Sequence, residues 1–180
     1  MSMRNCLIAI AALVAMPLAT LANAEPAPSA PHLGTPMSKD DVAKWDLTIF
    51  PDGRGLPPGR GTAREGQAIY SQKCATCHGD KGQGATAEDL VSGPKPPSGD
   101  DPSKAIGSYW PYATTIFDFI RHSMPPAAPG SLSSDQVYAL TAYLLAANKI
   151  IGEGDEMNAQ SLPKIKMPNR DGFIPIDAKK

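Results

Sequence analysis

The chain has 180 residues, of which 17 are Lys or Arg and 18 are Asp or Glu, so its formal net charge is −1. This near-neutral balance argues against nucleic acid as a partner, because nucleic-acid-binding domains usually carry a basic face. The length is sufficient for one domain with a buried core and insufficient for two domains of ordinary size.

Residues 1–24 have the pattern of a secretory signal peptide. Arg4 precedes the apolar run CLIAIAALVAMPLATLA, and residues 22–24 form an Ala-X-Ala cleavage site. A transmembrane helix is the alternative, but Pro17 interrupts a run that is shorter than the roughly 20 residues needed to cross a bilayer. We therefore expect export to the periplasm, a mature chain that starts at Glu25, and no membrane anchor after the signal peptide is removed.

Residues 25–60 are predicted to be a Pro-rich leader followed by an arm. Ser38 and Asp41 resemble the capping box of a short helix that ends near Trp45. The next residues alternate apolar and polar side chains before they break into Pro and Gly, which indicates an extended arm that packs on the domain. We expect Trp45 and Phe50 to anchor this arm rather than to contact a cofactor.

A longer helix is predicted to begin with Thr62 as its N-cap and Glu65 three residues later. Gly66 and Tyr70 lie on one face of this helix, since they are four residues apart. A glycine on that face allows another helix to approach closely. The first helix of the domain should therefore cross a second helix at this point.

The sequence CATCH at residues 74–78 has the Cys-X-X-Cys-His spacing to which a c-type haem is attached covalently. Within one helical turn, Cys74 and Cys77 can reach the two vinyl groups of one porphyrin, and the imidazole of His78 can bind the iron. A redox dithiol or half of a zinc site is the alternative. The remaining cysteine, Cys6, lies in the predicted signal peptide, so no second thiol pair serves zinc, and a dithiol gives His78 no role. We predict one covalently attached haem c.

The residues after this motif are rich in Gly and Pro and should form a loop that crosses one edge of the haem. Three aromatic residues end this stretch: Tyr109, Trp110 and Tyr112. Their N–H and O–H groups can reach haem propionates, and Trp110 and Tyr109 are our candidates for cofactor binding. A role in the aromatic core is the alternative.

A helix that ends at Met124 is predicted next. Thr115 with Asp118 can cap it, and the two Pro residues after Met124 stop it. Three apolar side chains share one side of this helix, those of Ile116, Phe119 and Ile120.

Met124 at this helix end can bring its thioether to the iron, so we predict His78 and Met124 as the two metal ligands. Met167, which is also followed by Pro, and His122, which lies within the helix, are the alternatives to Met124.

Ser133 or Ser134 is predicted to cap the last helix, and an apolar stripe follows at Val137, Leu140, Tyr143 and Leu144. This is the expected partner of Gly66 and Tyr70. The remaining residues, 152–180, contain five apolar side chains that can pack back on the domain: Leu162, Ile165, Met167, Phe173 and Ile174. A disordered tail is the alternative.

The predicted crossing of the first and last helices resembles that of class I cytochromes c, over about residues 61–151. Four stretches resemble more specifically the cytochrome subunits of sulfur oxidation: WDLTIFPDGRGLPPGRGTA, GSYWPYATTIFDFIRHSMP, VYALTAYLLAANKII and MNAQSLPKIKMPNRDGF. These subunits include the haem domain of the Sox-type sulfane dehydrogenase and the small cytochromes that accept electrons from molybdenum sulfite dehydrogenases. The resemblance implies a mainly α protein with a class I cytochrome c fold at residues 61–151, an N-terminal arm, and a C-terminal extension at residues 152–180.

The same resemblance implies a periplasmic electron carrier with one haem and no enzymatic activity of its own, either free or as a subunit of a dehydrogenase complex. Its electron donor would be a sulfite or sulfane dehydrogenase, and its acceptor a downstream cytochrome or oxidase. YWPYATT segments are also found in other sulfur-pathway and alcohol-oxidising cytochromes, so a thiosulfate or alcohol dehydrogenase is the alternative donor. A haem enzyme with an exchangeable axial ligand is a further alternative.

In class I cytochromes the axial His donates its Nδ1 proton to a backbone carbonyl in the loop after the motif, usually that of a Pro two residues before a Leu. In this chain Leu90 is preceded by Glu88 and Asp89, and Pro94 comes only later. This chain departs from that pattern, but we still expect the hydrogen bond, because it fixes the imidazole and makes it a stronger electron donor to the iron. The sequence does not identify the carbonyl.

Overall fold

The structure, a computed structural model, describes residues 33–94, 99, 103–174 and 177. The predicted signal peptide, its cleavage site and residues 25–32 of the leader lie outside the described residues. Residues 1–38 and 39–180 form two separate units. In the described part of the second unit, the α-helices are α1 (Lys39–Trp45), α2 (Ala63–Lys73), α3 (Ala75–His78), α4 (Ala113–Ser123) and α5 (Ser134–Ala147), a short 3-10 helix spans Leu162–Lys164, and the strands are β1 (Arg60–Thr62) and β2 (Glu156–Asn158). None of the described helices is both long enough and apolar enough to cross a membrane.

Helices α2 and α5 both begin at N-caps that the sequence predicted, and in both helices the cap is part of a capping box. The Thr62 side chain accepts a hydrogen bond from the backbone N–H of Glu65, whose carboxylate accepts from the Thr62 N–H at 2.8 Å. Ser133, rather than Ser134, makes the equivalent pair of bonds with Gln136. Nine of the 14 residues of α5 are buried, so this helix is covered on most sides and not only along the predicted stripe.

The crossing of α2 and α5 depends on the absence of a side chain at Gly66. A Cβ atom there would overlap the carbonyl group of Ala139 and would come within 2.8 Å of the Tyr143 Cβ atom. One turn later, the ring of Tyr70 packs against that of Tyr143, with 4.9 Å between the ring centres. The predicted helix crossing is therefore confirmed.

Replacing Gly66 with Ala should destabilise the protein by about 1–3 kcal/mol, because the backbone of α5 has to move to admit the methyl group. Thermal unfolding of the purified protein measures this loss. Gln67→Ala, at the next and exposed position of the same helix, is the control and should stay within about 0.5 kcal/mol of the unsubstituted protein. Equal unfolding midpoints for the two variants would contradict the close approach of the helices.

Helix α4, which leads to Met124, starts earlier than predicted. Thr115 does not cap it, since the helix begins at Ala113, and the N-cap residue Tyr112 makes no side-chain hydrogen bond. Ala113 and the residue after it are buried, so packing against the core extends the helix beyond the local capping signal. The end of the helix directly before Met124 agrees with the prediction.

The arm packs on the domain through Ile49 and not through Trp45 and Phe50, which were predicted to anchor it. Trp45 and Phe50 are 79% and 40% exposed, so the prediction that they anchor the arm is wrong. Ile49 is buried in the core instead, and in an extended segment the side chain that follows an inward one points outward. Phe50 is covered by the guanidinium group of Arg54, 4.3 Å from the ring centre.

The C-terminal extension packs back on the helices, as predicted. Its strand β2 pairs antiparallel with β1, which connects the arm to α2. The side chains of Met157, Leu162 and Met167 are buried in the same core as the helices. Phe173 and Ile174 are exposed, so only the first part of the extension contributes to the core.

Candidate haem-binding cavity

An apolar cavity of about 300 Å³ lies between the turn at residues 74–78 and helix α4. Ile116, Phe119 and Ile120 face it together, as their helical spacing predicted. The other lining side chains come from α2, the motif, the loops and α5: Tyr70, Lys73, Cys74, Cys77, His78, Thr86, Ala87, Leu90, Ile106, Trp110, Met124, Pro125, Pro126, Leu132, Leu140 and Leu144. The cavity thus combines residues that are distant in the sequence.

The two motif cysteines lie on one helical turn at the edge of this cavity. Helix α2 ends before Cys74, whose carbonyl oxygen accepts hydrogen bonds from the backbone N–H groups of Cys77 and His78 at 3.1 and 3.0 Å. Cys74 is half-buried and Cys77 is exposed. Both thiols and the imidazole therefore border the same space, which is the arrangement that covalent haem attachment requires.

The His78 imidazole is held by the carbonyl oxygen of Glu88, which lies 2.8 Å from Nδ1. A carbonyl oxygen can only accept, so this bond places the proton on Nδ1 and leaves Nε2 as the ring nitrogen available to a metal. The loop is fixed beside the ring by two backbone bonds, from Gly84 to the His78 carbonyl at 2.8 Å and from Ala87 to the Cys77 carbonyl at 2.9 Å. The expected hydrogen bond is therefore present. Its acceptor, which could not be identified from the sequence, is the carbonyl oxygen of Glu88.

Met124 lines the cavity from the end of α4. Of its two alternatives, Met167 is 3% exposed and belongs to the core formed with the extension. His122 does not line the cavity either; its Nδ1 lies 2.9 Å from the Asp118 carbonyl. An Asp118 carboxylate oxygen is close to the same nitrogen, at 3.1 Å, without hydrogen-bond geometry. The structure therefore places Met124, and neither alternative, at the cavity with His78.

Trp110 lines the cavity with its ring, but its indole N–H donates to the backbone carbonyl of Lys104 at 3.0 Å. This N–H is thus occupied, and the predicted bond to a propionate is not supported. Tyr109 does not line the cavity; its ring lies edge-on to that of Phe173, with 5.3 Å between the ring centres. Tyr112 is covered by the guanidinium group of Arg170 at 4.4 Å.

The chemistry of the cavity fits haem better than a zinc or dithiol site. Burial raises the pKa of the Cys74 thiol to about 11, whereas reactive dithiols and zinc ligands need a stabilised thiolate. Cys74 and Cys77 would hold the haem, and His78 and Met124 would bind its iron. Haem bound in this apolar space supplies an iron that takes up and releases one electron.

A mainly helical domain that brings a CXXCH turn and a methionine to one apolar cavity has the architecture of a cytochrome. The family model described as "Cytochrome C oxidase, cbb3-type, subunit III" matches residues 61–144. A chain in the crystal structure of the sulfane dehydrogenase SoxCD from Paracoccus pantotrophus is 36% identical and superimposes with a TM-score of 0.75, over 82% of this chain and 73% of that one. Thiosulfate dehydrogenase from Stutzerimonas stutzeri (strain A1501) is 35% identical over 62% of this chain.

The chain belongs to the cytochrome c family, and it is homologous to thiosulfate dehydrogenase and to the cytochrome component of the SoxCD sulfane dehydrogenase. The predicted resemblance to Sox-type cytochromes and the mainly α cytochrome c fold are therefore confirmed. Membership of this family implies haem as the cofactor. The chain spans 41% of the length of the thiosulfate dehydrogenase that it matches.

Proposed function

We propose that the protein is a periplasmic c-type cytochrome with one haem, which transfers single electrons from a molybdenum sulfite or sulfane dehydrogenase to a downstream cytochrome or oxidase. The observation that carries this proposal is the shared cavity of His78, Met124 and the two motif cysteines. Homology to the SoxCD component supports a dehydrogenase partner in sulfur oxidation.

The cavity favours a carrier over an enzyme because two of its side chains, His78 and Met124, would both bind the iron and leave no position open. An enzyme or gas-binding haem protein needs one open or exchangeable position. Bound to the iron together with His78, the Met124 thioether would favour the ferrous state, and the apolar surroundings would disfavour the additional charge of the ferric state. Both effects raise the reduction potential and suit an acceptor of electrons from a dehydrogenase.

Electrons would enter and leave where the cavity opens to solvent. Cys77, Thr86 and Pro126 border the cavity and are exposed, so a haem attached to Cys77 would present one edge at this surface. Contacts between electron-transfer partners are commonly below about 1,200 Å² and transient. An opening of this kind is sufficient for such a contact, and no substrate pocket is needed in this chain.

A second candidate function follows from the similarity to thiosulfate dehydrogenase. In that case the chain would accept electrons from thiosulfate oxidation, or would take part in it as an enzyme with an exchangeable axial ligand. An alcohol dehydrogenase is the corresponding donor outside sulfur oxidation. These candidates differ from the first in the donor that supplies electrons to the oxidised protein.

Stopped-flow reduction of the intact oxidised protein tests the proposal. We expect rapid reduction by a periplasmic sulfite or sulfane dehydrogenase with its substrate, which slows as salt screens the encounter. Sulfite or thiosulfate without a dehydrogenase is the control and should reduce the protein slowly. Rapid oxidation of thiosulfate by the protein alone would make it an enzyme, and reduction only by an alcohol dehydrogenase would contradict the sulfur assignment but leave the carrier role intact.

A further inference from the structure

Asn148, at the C-terminal end of α5, is fully buried and uses both ends of its side-chain amide. Nδ2 donates to the carbonyl oxygens of Leu90 and Leu144 at 3.0 and 2.9 Å. Three backbone N–H groups donate to Oδ1 within 3.3 Å, those of Ser92, Gly93 and Gly107. One side chain thus joins two separate loop segments to the last helix of the domain.

The first of these segments carries the acceptor for the His78 imidazole. Glu88, whose carbonyl oxygen accepts from His78 Nδ1, is two residues before Leu90. The Leu90 carbonyl accepts from the Ile106 N–H at 3.2 Å as well as from Asn148. Leu90 and Ile106 both line the cavity. The amide therefore fixes the loop close to the point where it contacts the imidazole.

The site is built for a carboxamide. Removing the amide would leave three N–H groups and two carbonyl groups, all of them buried or partly buried, without this partner, which is costly where water has little access. A Cβ atom at Gly107 would overlap the Gly93 carbonyl and crowd Asn148 Oδ1, so the glycine provides the space that the amide occupies. The bonds from Asn148 to Ser92, Gly93 and Leu90 each join residues that are 55 or more positions apart in the sequence.

We propose that Asn148 is a positioning residue for the axial imidazole: through residues 90–93 it holds the Glu88 carbonyl against His78 Nδ1, and so sets the orientation and donor strength of the iron ligand. This inference rests on the proposed function, because it requires His78 to bind the iron. The hydrogen bond to Nδ1 makes an imidazole a stronger donor and stabilises the ferric state. Loosening the loop should therefore favour the ferrous state.

The test uses the haem-loaded protein with Asn148→Ala and Asn148→Ser, and Leu145→Ala as the control. Leu145 is equally buried on α5 and does not line the cavity, so its variant should lose stability while it keeps the Asn148 amide that binds the loop. In the Asn148 variants we expect the His78 Nδ1 proton, followed by NMR in the reduced state, to exchange at least tenfold faster. We also expect the ratio of ferrous to ferric protein, measured at a fixed solution potential, to rise about threefold. The proposal would be overturned if the Asn148 variants and Leu145→Ala, compared at matched unfolding midpoints, showed the same proton exchange rate and the same ferrous-to-ferric ratio.

Hydrogen exchange in the unsubstituted protein gives a second test that requires no variant to fold. If Asn148 couples the loop to the imidazole, the His78 Nδ1 proton and the Ser92 and Gly107 amide protons should respond in parallel to added denaturant. Independent opening of the imidazole proton would overturn the inference. The chain has three His residues, so the His78 signals can be assigned directly. Absence of the ring-current shift of an axial ligand would instead refute His78 ligation itself, and with it the proposed function.

Discussion

Met124→Ala should abolish the near-infrared sulfur-to-iron band of the oxidised protein and lower its reduction potential by on the order of 0.1 V, since axial ligands set haem potentials over about 0.8 V. The physical reason is the loss of the thioether that favours the ferrous state. In the structure, this side chain borders the cavity that His78 also lines. Absorption spectroscopy and a potentiometric titration measure both effects, and the reduced variant should bind carbon monoxide rapidly at the vacated position.

Two matched variants separate ligation from general damage. His122→Ala removes a side chain on the same helix that does not line the cavity, and Met167→Leu replaces a buried methionine at nearly constant volume. Both variants should keep the sulfur-to-iron band and a potential close to that of the unsubstituted protein. Loss of the band in Met167→Leu, or its persistence in Met124→Ala, would show that the axial assignment is wrong.

Replacing both Cys74 and Cys77 with Ala should eliminate covalent haem. The thiols lie on one turn beside the cavity, and no other cysteine belongs to the described residues. Mass spectrometry of the denatured protein should show apoprotein mass alone, whereas the unsubstituted protein keeps the added mass of one haem. Each single variant should keep one thioether link, and its absorption spectrum should be shifted from that of the unsubstituted protein.

Cys6→Ser is the control for this experiment and should leave the haem content unchanged, because Cys6 lies in the predicted signal peptide. The same mass spectrum reports where the mature chain begins, and we expect Glu25. A double variant that still carried haem through denaturation would contradict attachment at Cys74 and Cys77. More than one added haem mass in the unsubstituted protein would contradict the mono-haem assignment.

Features that depend on residues close together in the chain can be predicted from the amino-acid sequence alone. The CXXCH turn needs five consecutive residues, and the capping box at Thr62 needs a side chain and a backbone group three residues apart. For α5 the sequence narrowed the N-cap to two adjacent serines, of which Ser133 makes the bonds. The end of α4 before Met124 follows from two adjacent prolines. Helical periodicity also predicted that Gly66 faces the last helix, because the period places residues on faces without knowledge of the partner.

Which of several similar groups contact one another depends instead on how the whole chain folds. The acceptor for His78 is the Glu88 carbonyl because backbone bonds fold the loop beside the ring, and every residue of such a loop has a carbonyl to offer. The Trp110 N–H is taken by a backbone carbonyl. Asn148 collects partners from two distant loop segments. Hydrogen bonds and burial of this kind join residues far apart in the sequence, so they leave no local pattern from which they could be predicted.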